Sequence, residues 1–136
     1  MSIVTILSDD QLSPEAAAVF ADIRAVRNTD FVNNFWRALA HDPALLQRTW
    51  ESIKVVMAPG ALDPRTKELI YVAVSIANGC EYCIRSHTAA ARAKGVSEAE
   101  IMELVAVVGM ASETNRMVTA LQVPVDEAFR SPPEPR

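Results

Sequence analysis

Cysteine is scarce in this chain, and so are long apolar runs and clusters of basic residues. The two cysteines are too few for the disulfide framework that stabilises many small secreted domains. The longest unbroken apolar stretches, such as residues 69–74, are far shorter than the roughly 20 residues that span a bilayer. A net charge of −4, without a Lys/Arg run, argues against a nucleic-acid-binding protein. We therefore expect neither a membrane protein nor a nucleic-acid partner.

The N-terminal residues also lack the basic segment that begins a secretory signal peptide. We therefore expect a cytoplasmic protein. In that compartment thiols are kept reduced, so a Cys-x-x-Cys pair is more often catalytic or metal-binding than structural.

The pattern of apolar residues predicts an all-α fold, a compact bundle of about six helices. The length of 136 residues, half of them apolar, indicates a single domain over residues 1–136. Ser13-Pro14 and Asp63-Pro64 are helix-start signals, and Ser97-x-x-Glu100 is a capping box. The predicted helices cover approximately residues 14–28, 30–40, 44–57, 64–77, 81–94 and one long segment from 98. The proline-rich tail, residues 124–136, is predicted to be irregular.

The chemistry of the chain is concentrated where the fifth helix begins. Asn78-Gly79 ends one helix, so Cys80 lies at or just before the next N-cap and Cys83 lies in the first turn. The N–H groups of a helix N-terminus stabilise an anion, and in such Cys-x-x-Cys motifs a thiol pKa can fall from about 8.5 to about 3.5–7.5. His87 follows Cys83 by four residues, about 5–6 Å away between Cβ atoms, and can exchange a proton with a thiol.

Glu68 is the candidate for a group that orients this histidine. It precedes the apolar run of the fourth helix by one residue and Cys80 by about three helical turns. Because a tight turn joins the fourth and fifth helices, we expect them to be antiparallel or sharply crossed, which brings Glu68 within reach of His87.

These residues carry a family resemblance. Residues 63–70 (DPRTKELI), residues 78–83 (NGCEYC) and the set Glu68, Cys80, Cys83 and His87 are similar to the AhpD-like alkylhydroperoxidase branch of the carboxymuconolactone decarboxylase family. The resemblance is strongest over residues 62–95, and the motif core covers about residues 45–121.

The resemblance implies an all-helical homo-oligomer, a dimer, trimer or hexamer, that acts as a peroxidase. It implies that Cys83 attacks the hydroperoxide, that Cys80 resolves the product by closing a disulfide, and that Glu68 and His87 relay protons. A dithiol or protein reductant would then restore the thiols, without a metal or an organic cofactor. This chemistry agrees with the oxidation of a thiolate to a sulfenic acid, followed by condensation with a second thiol.

The sequence departs from the family pattern at Tyr82, where the best-characterised members have a histidine. Tyrosine is a poor base near neutral pH, so the relay is shorter, the rate lower or the substrate different.

Other interpretations of the motif are a buried pair of structural cysteines, a non-catalytic redox-sensing module, a zinc site with His41 or Glu68 as a fourth ligand, and a lactone decarboxylase. A solvated Glu68 is also possible, and the aromatic residues are expected in the core or a subunit interface: Phe31, Phe35, Trp36 and Trp50.

Overall fold

The protein is all-helical in a computed structural model that describes residues 1–130. Six α-helices follow one another, with a short 3₁₀ helix before the first and another in the C-terminal segment. The bounds are α1 Pro14–Arg27, α2 Asn34–Leu39, α3 Pro43–Met57, α4 Pro64–Ala77, α5 Glu81–Ala93 and α6 Glu98–Ala120. The predicted fold class and the number of helices are confirmed. Residues 131–136 of the tail lie outside the described part.

Local capping explains why most helices begin where the sequence predicted. The side chains of Ser13 and Asp63 accept hydrogen bonds from backbone N–H groups three residues on, and a proline follows each of them. Ser97 and Glu100 form both hydrogen bonds of the predicted capping box.

The second helix is the clearest difference from the prediction. It was expected over residues 30–40 but begins only at Asn34, because Asn33 is extended, with φ −72° and ψ 158°. Val32 is buried, whereas Phe31 is 69% exposed. The segment before α2 is therefore extended and buries Val32, and Phe31 is not part of the core, one of the two locations expected for it.

The chain divides into two compact units, and the first is Met1–Ala58. In it, α1 and α2 each pack against α3. The rings of Trp36 and Trp50 meet edge to face at 5.6 Å, and the Asp22 carboxylate accepts hydrogen bonds from Trp50 Nε1 at 2.6 Å and Lys54 Nζ at 2.8 Å. The buried core consists of Ala16, Val19, Phe20, Ile23, Val32, Trp36, Ala40, Leu46 and Trp50.

The second unit begins at Pro59 and contains α4, α5 and α6. Both α5 and α6 pack against α4, and Arg65 pairs with Glu100 between α4 and α6 at 2.5 Å. Most residues of α4 from Leu69 onward are apolar, yet Ile70 is 47% and Val74 is 53% exposed in the single chain. None of the residues of α6 is fully buried. This unit therefore presents more apolar surface than its own helices cover.

Candidate active site

The site begins at the turn between α4 and α5. Gly79 has φ +68°, a left-handed conformation that favours glycine, and it lets the chain reverse after α4. Cys80 N then donates to Ser75 O at 2.9 Å, and Cys80 becomes the N-cap of α5, one of the two positions that the sequence predicted. Its Sγ accepts a hydrogen bond from Cys83 N at 3.3 Å. The sulfur therefore takes the place that a serine or aspartate oxygen holds in an ordinary cap.

The two thiols are free and partly buried, and their pKa values are shifted in opposite directions. A hydrogen bond from the Cys83 thiol and one from the Cys83 backbone N–H lower the pKa of Cys80. The same Sγ–Sγ hydrogen bond, together with burial and the charge of Cys80, raises the pKa of Cys83 to about 11. Of the two thiols, Cys80 is therefore the first to lose its proton, and Cys83 stays protonated to a higher pH.

Glu68 and His87 form the second part of the site. Glu68 is only 6% exposed, so it is not a solvated surface charge. Its Oε2 lies 2.7 Å from His87 Nδ1, which carries the hydrogen because a carboxylate can only accept. The prediction that neighbouring helices bring these two side chains together agrees with this geometry. Nε2 is then the ring nitrogen that can exchange a proton with a thiol or a substrate.

Lys94 and Tyr71 complete the surroundings, and sequence reasoning gave neither a role. Lys94 Nζ donates to Glu68 Oε1 at 3.1 Å, so each oxygen of the carboxylate has one cationic or N–H partner. Tyr71 stacks on the His87 ring with 3.6 Å between centroids and 19° between planes. The signal that could have found Tyr71 is its spacing of three residues from Glu68, which puts both on one face of α4.

Opposing effects set the charges of these groups. Burial raises the pKa of Glu68, but hydrogen bonds from His87 and Lys94 outweigh it, so that the net pKa lies below the usual value. Burial also raises the pKa of Tyr71, and the negative charges of Cys83, Cys80 and Glu68 raise it further. The tyrosine therefore stays a neutral phenol near the thiols at physiological pH.

Tyr82 and His41 are two further residues that the sequence analysis named. Tyr82, at the position where the family pattern has a histidine, is 44% exposed. His41 Nε2 lies 2.8 Å from Thr5 O, within the first unit. Within residues 1–130, no group of three or more His, Cys, Asp or Glu side chains is placed to hold a metal ion. No described helix is long and apolar enough to cross a membrane.

Taken together, the site combines two free thiols with a histidine–carboxylate pair. Cys83 stands one helical turn before His87 on the same helix, a spacing that places both on one face. The Glu68 carboxylate fixes the imidazole orientation and favours a hydrogen on Nδ1. Given an external oxidant that accepts two electrons, the two thiols of such an arrangement can close a disulfide, and the imidazole can take up a proton that the thiols release.

Comparisons with known proteins agree on one family. The sequence profile of the carboxymuconolactone decarboxylase family matches residues 43–126. The crystal structure of an alkylhydroperoxidase AhpD core from Rhodospirillum rubrum is similar over 97% of this chain and 99% of that chain, with 59% sequence identity and a TM-score of 0.93. A Paracoccus denitrificans protein, described as uncharacterized protein 4 in the cox locus, is 50% identical over 52 residues, 38% of this chain. The match spans about half, 47%, of that relative's length.

Proposed function

This chain belongs to the carboxymuconolactone decarboxylase family, and we propose that it is a thiol-dependent hydroperoxide reductase within the AhpD-like branch. The observation that carries the proposal is the pair of free thiols at the start of α5, where one sulfur caps the helix and accepts hydrogen bonds from the other cysteine, which lower its pKa. The name of the Rhodospirillum rubrum protein, an alkylhydroperoxidase, supports the same reaction class.

The reaction balances with two thiols and one hydroperoxide. A thiolate attacks the terminal peroxide oxygen, the O–O bond breaks, and the leaving alkoxide takes a proton to become an alcohol. The cysteine is now a sulfenic acid. The second thiolate attacks its sulfur, the S–OH bond breaks, and the hydroxide leaves as water after it takes a proton. The net change is two thiols and a hydroperoxide to a disulfide, an alcohol and water.

The division of labour between the cysteines follows the family resemblance in our proposal, with Cys83 as the attacking residue and Cys80 as the resolving one. Because the resting proton lies on Cys83, the attack requires that it move first, across the Sγ–Sγ hydrogen bond to Cys80 or to His87. His87, held by Glu68, then serves as proton carrier for the alkoxide and for the hydroxide.

Restoring the thiols requires two electrons from outside the chain. A small dithiol or a protein dithiol would attack the disulfide, pass through a mixed disulfide and leave oxidised. The proposed cycle uses no metal or organic cofactor. It requires a compartment that keeps dithiols reduced, which agrees with the proposed cytoplasmic location.

We propose further that the protein works as a homo-oligomer. The apolar residues of α6 are exposed in the single chain, among them Met102, Val107 and Met110, and Ile70 and Val74 of α4 are about half exposed. Exposed apolar surface of this extent is typical of a face that a second copy covers. Sedimentation velocity at micromolar protein tests this point, because a monomer would contradict it.

Stopped-flow kinetics tests the reaction itself. Fully reduced protein is mixed with cumene or tert-butyl hydroperoxide, and thiol loss is followed against free dithiothreitol at equal thiol concentration. We expect faster loss in the protein, formation of one intramolecular disulfide per chain, and no turnover after Cys83→Ser. Cys80→Ser should accumulate a sulfenic acid on Cys83, detectable with dimedone and peptide mass spectrometry. A sulfenic acid that forms only on Cys80, in Cys83→Ser, would reverse the assignment.

The same variants separate the other candidate functions. A lactone decarboxylase of the kind that names the family would need no thiol and should stay active in the Cys80→Ser/Cys83→Ser double variant. A non-catalytic redox module would change oligomer size with the redox state on size-exclusion chromatography and consume no hydroperoxide faster than dithiothreitol does.

A further inference from the structure

We propose that Lys94 is a positioning residue that sets how tightly the Glu68–His87 pair holds its proton. The inference deepens the proposed function, since it rests on the pair acting as the proton carrier of the thiol reaction. We assign Lys94 no direct contact with either thiol, so its effect on the thiol reaction acts through Glu68.

Lys94 contacts one of the two oxygens of the Glu68 carboxylate. Glu68 is buried on α4, and its two oxygens are divided between His87 Nδ1 at 2.7 Å and Lys94 Nζ at 3.1 Å. The Lys94 side chain is 39% exposed, against 8% for Glu68. The positive charge of the partly exposed lysine thus lies beside a carboxylate that is shielded from water.

The position of Lys94 on α5 also favours a cation there. Lys94 is the C-cap, and its backbone N–H faces the carbonyls of the last turn before Gly95 reverses the chain with φ +83°. The C-terminal end of a helix carries partial negative charge, which stabilises a lysine. One helix therefore supplies the thiol cap at its N-terminus and the cation at its C-terminus, with His87 between them.

The consequence for the proton follows from the sign of the charge. With Lys94 present, a positive charge beside Glu68 disfavours a further proton on the pair, so that the pair is available as an acceptor. Without it, the uncompensated carboxylate binds the proton more tightly, whether the proton resides on the imidazole or on the carboxyl. Because the pair must lose this proton before it can accept one from a thiol or a substrate, it would become an acceptor only at a higher pH.

Other ionisable groups also face the pair. Tyr71 from α4 is held neutral and stacks on the imidazole, and the thiols at the start of α5 can add only negative charge, when they ionise. From α6, Glu100 is paired with Arg65. Lys94 is the cation that the structure places directly on Glu68.

The test compares Lys94→Met, which keeps an unbranched side chain without the charge, with Lys94→Arg, which keeps the charge. Two readouts are measured from pH 5 to pH 9, a window of about two pH units either side of neutrality that covers the usual imidazole range. The first is the ¹H–¹³C NMR signal of the His87 imidazole, with His41 in the same chain as the internal control. The second is the rate of hydroperoxide-dependent thiol loss. Circular dichroism of all variants establishes that the helices are intact.

We expect the midpoint of the His87 signal and of the rising limb of the rate to move up by about one pH unit in Lys94→Met, so that the rate below both midpoints falls roughly tenfold. The rate should recover at high pH, the His41 signal should not move, and Lys94→Arg should behave as the wild type. Unchanged midpoints in Lys94→Met, or a rate that falls equally at all pH values, would overturn the proposal. If the wild type consumes no hydroperoxide, the proposed function fails, while the NMR midpoints still decide the role of Lys94.

Discussion

Removing one cysteine should make the other more reactive. In the reduced protein the pKa of Cys83 is raised from 9.0, the usual value, to about 11, chiefly by the hydrogen bond with Cys80, then by burial and by the charge of Cys80. Cys80→Ala deletes the hydrogen-bond partner and its charge while leaving burial nearly unchanged. The pKa of Cys83 should therefore fall most of the way back to 9.0.

The size of the gain comes from two opposing effects. A fall that approaches two pH units raises the thiolate fraction at pH 7 by up to roughly a hundredfold, because each unit is a factor of ten. A thiolate of lower pKa is also a weaker nucleophile, and a Brønsted slope of about 0.4–0.5 reduces the gain by roughly tenfold. We therefore expect Cys83 to react about tenfold faster in Cys80→Ala than in the wild type at pH 7.

The assay is alkylation with iodoacetamide, quenched at successive times and read by peptide mass spectrometry, which reports each cysteine separately. Cys83→Ser and Cys83→Ala are the matched controls for the reverse effect. The serine keeps a side-chain donor to the Cys80 sulfur and the alanine does not, so Cys80 should hold its low pKa better in Cys83→Ser. If Cys83 in Cys80→Ala reacts no faster than in the wild type, the hydrogen bond with Cys80 does not control the reactivity of Cys83 and the reasoning is refuted.

Three further perturbations test other contacts. Glu68→Gln should lower the free energy of unfolding near neutral pH by about 1–3 kcal/mol in urea titrations. Because the folded-state pKa of Glu68 lies below 4.5, its contribution is present above that pH and disappears as the pH falls through the folded value, so the two proteins should converge in acid. Tyr71→Phe keeps the stacking on His87 and should retain most of the activity, whereas Tyr71→Leu should reduce it several-fold at constant circular dichroism. Asp22→Asn, which weakens the acceptor of the Trp50 indole, should lower the melting temperature and shift the tryptophan emission.

Local signals account for the part of the fold that the sequence predicted. Ser13, Asp63 and Ser97 cap their helices through side chains that lie within three residues of their partners, so no tertiary information is needed. The predicted start of α2 was wrong because the actual start depends on tertiary packing. Since Val32 is buried, the segment before α2 stays extended and the helix begins only at Asn34.

The same distinction applies to the site. Cys80, Cys83 and His87 lie on one helix, so their spacing alone predicts that they share a face. The meeting of Glu68 with His87 followed from the tight turn that makes α4 and α5 neighbours. Lys94 had no such signal, because its contact with Glu68 depends on how deeply the carboxylate is buried between the two helices.

The Cys80 cap also links the redox state of the protein to the stability of one helix end. The sulfur that accepts the Cys83 N–H is the sulfur that the proposed cycle converts into a disulfide. A disulfide sulfur carries no charge and is a poorer acceptor than a thiolate, so oxidation should loosen the first turn of α5 and reduction should tighten it. Amide hydrogen exchange at Cys83 would then follow the redox state of the site without any added label, and a reducing partner would meet a more open helix end in the form that it has to reduce.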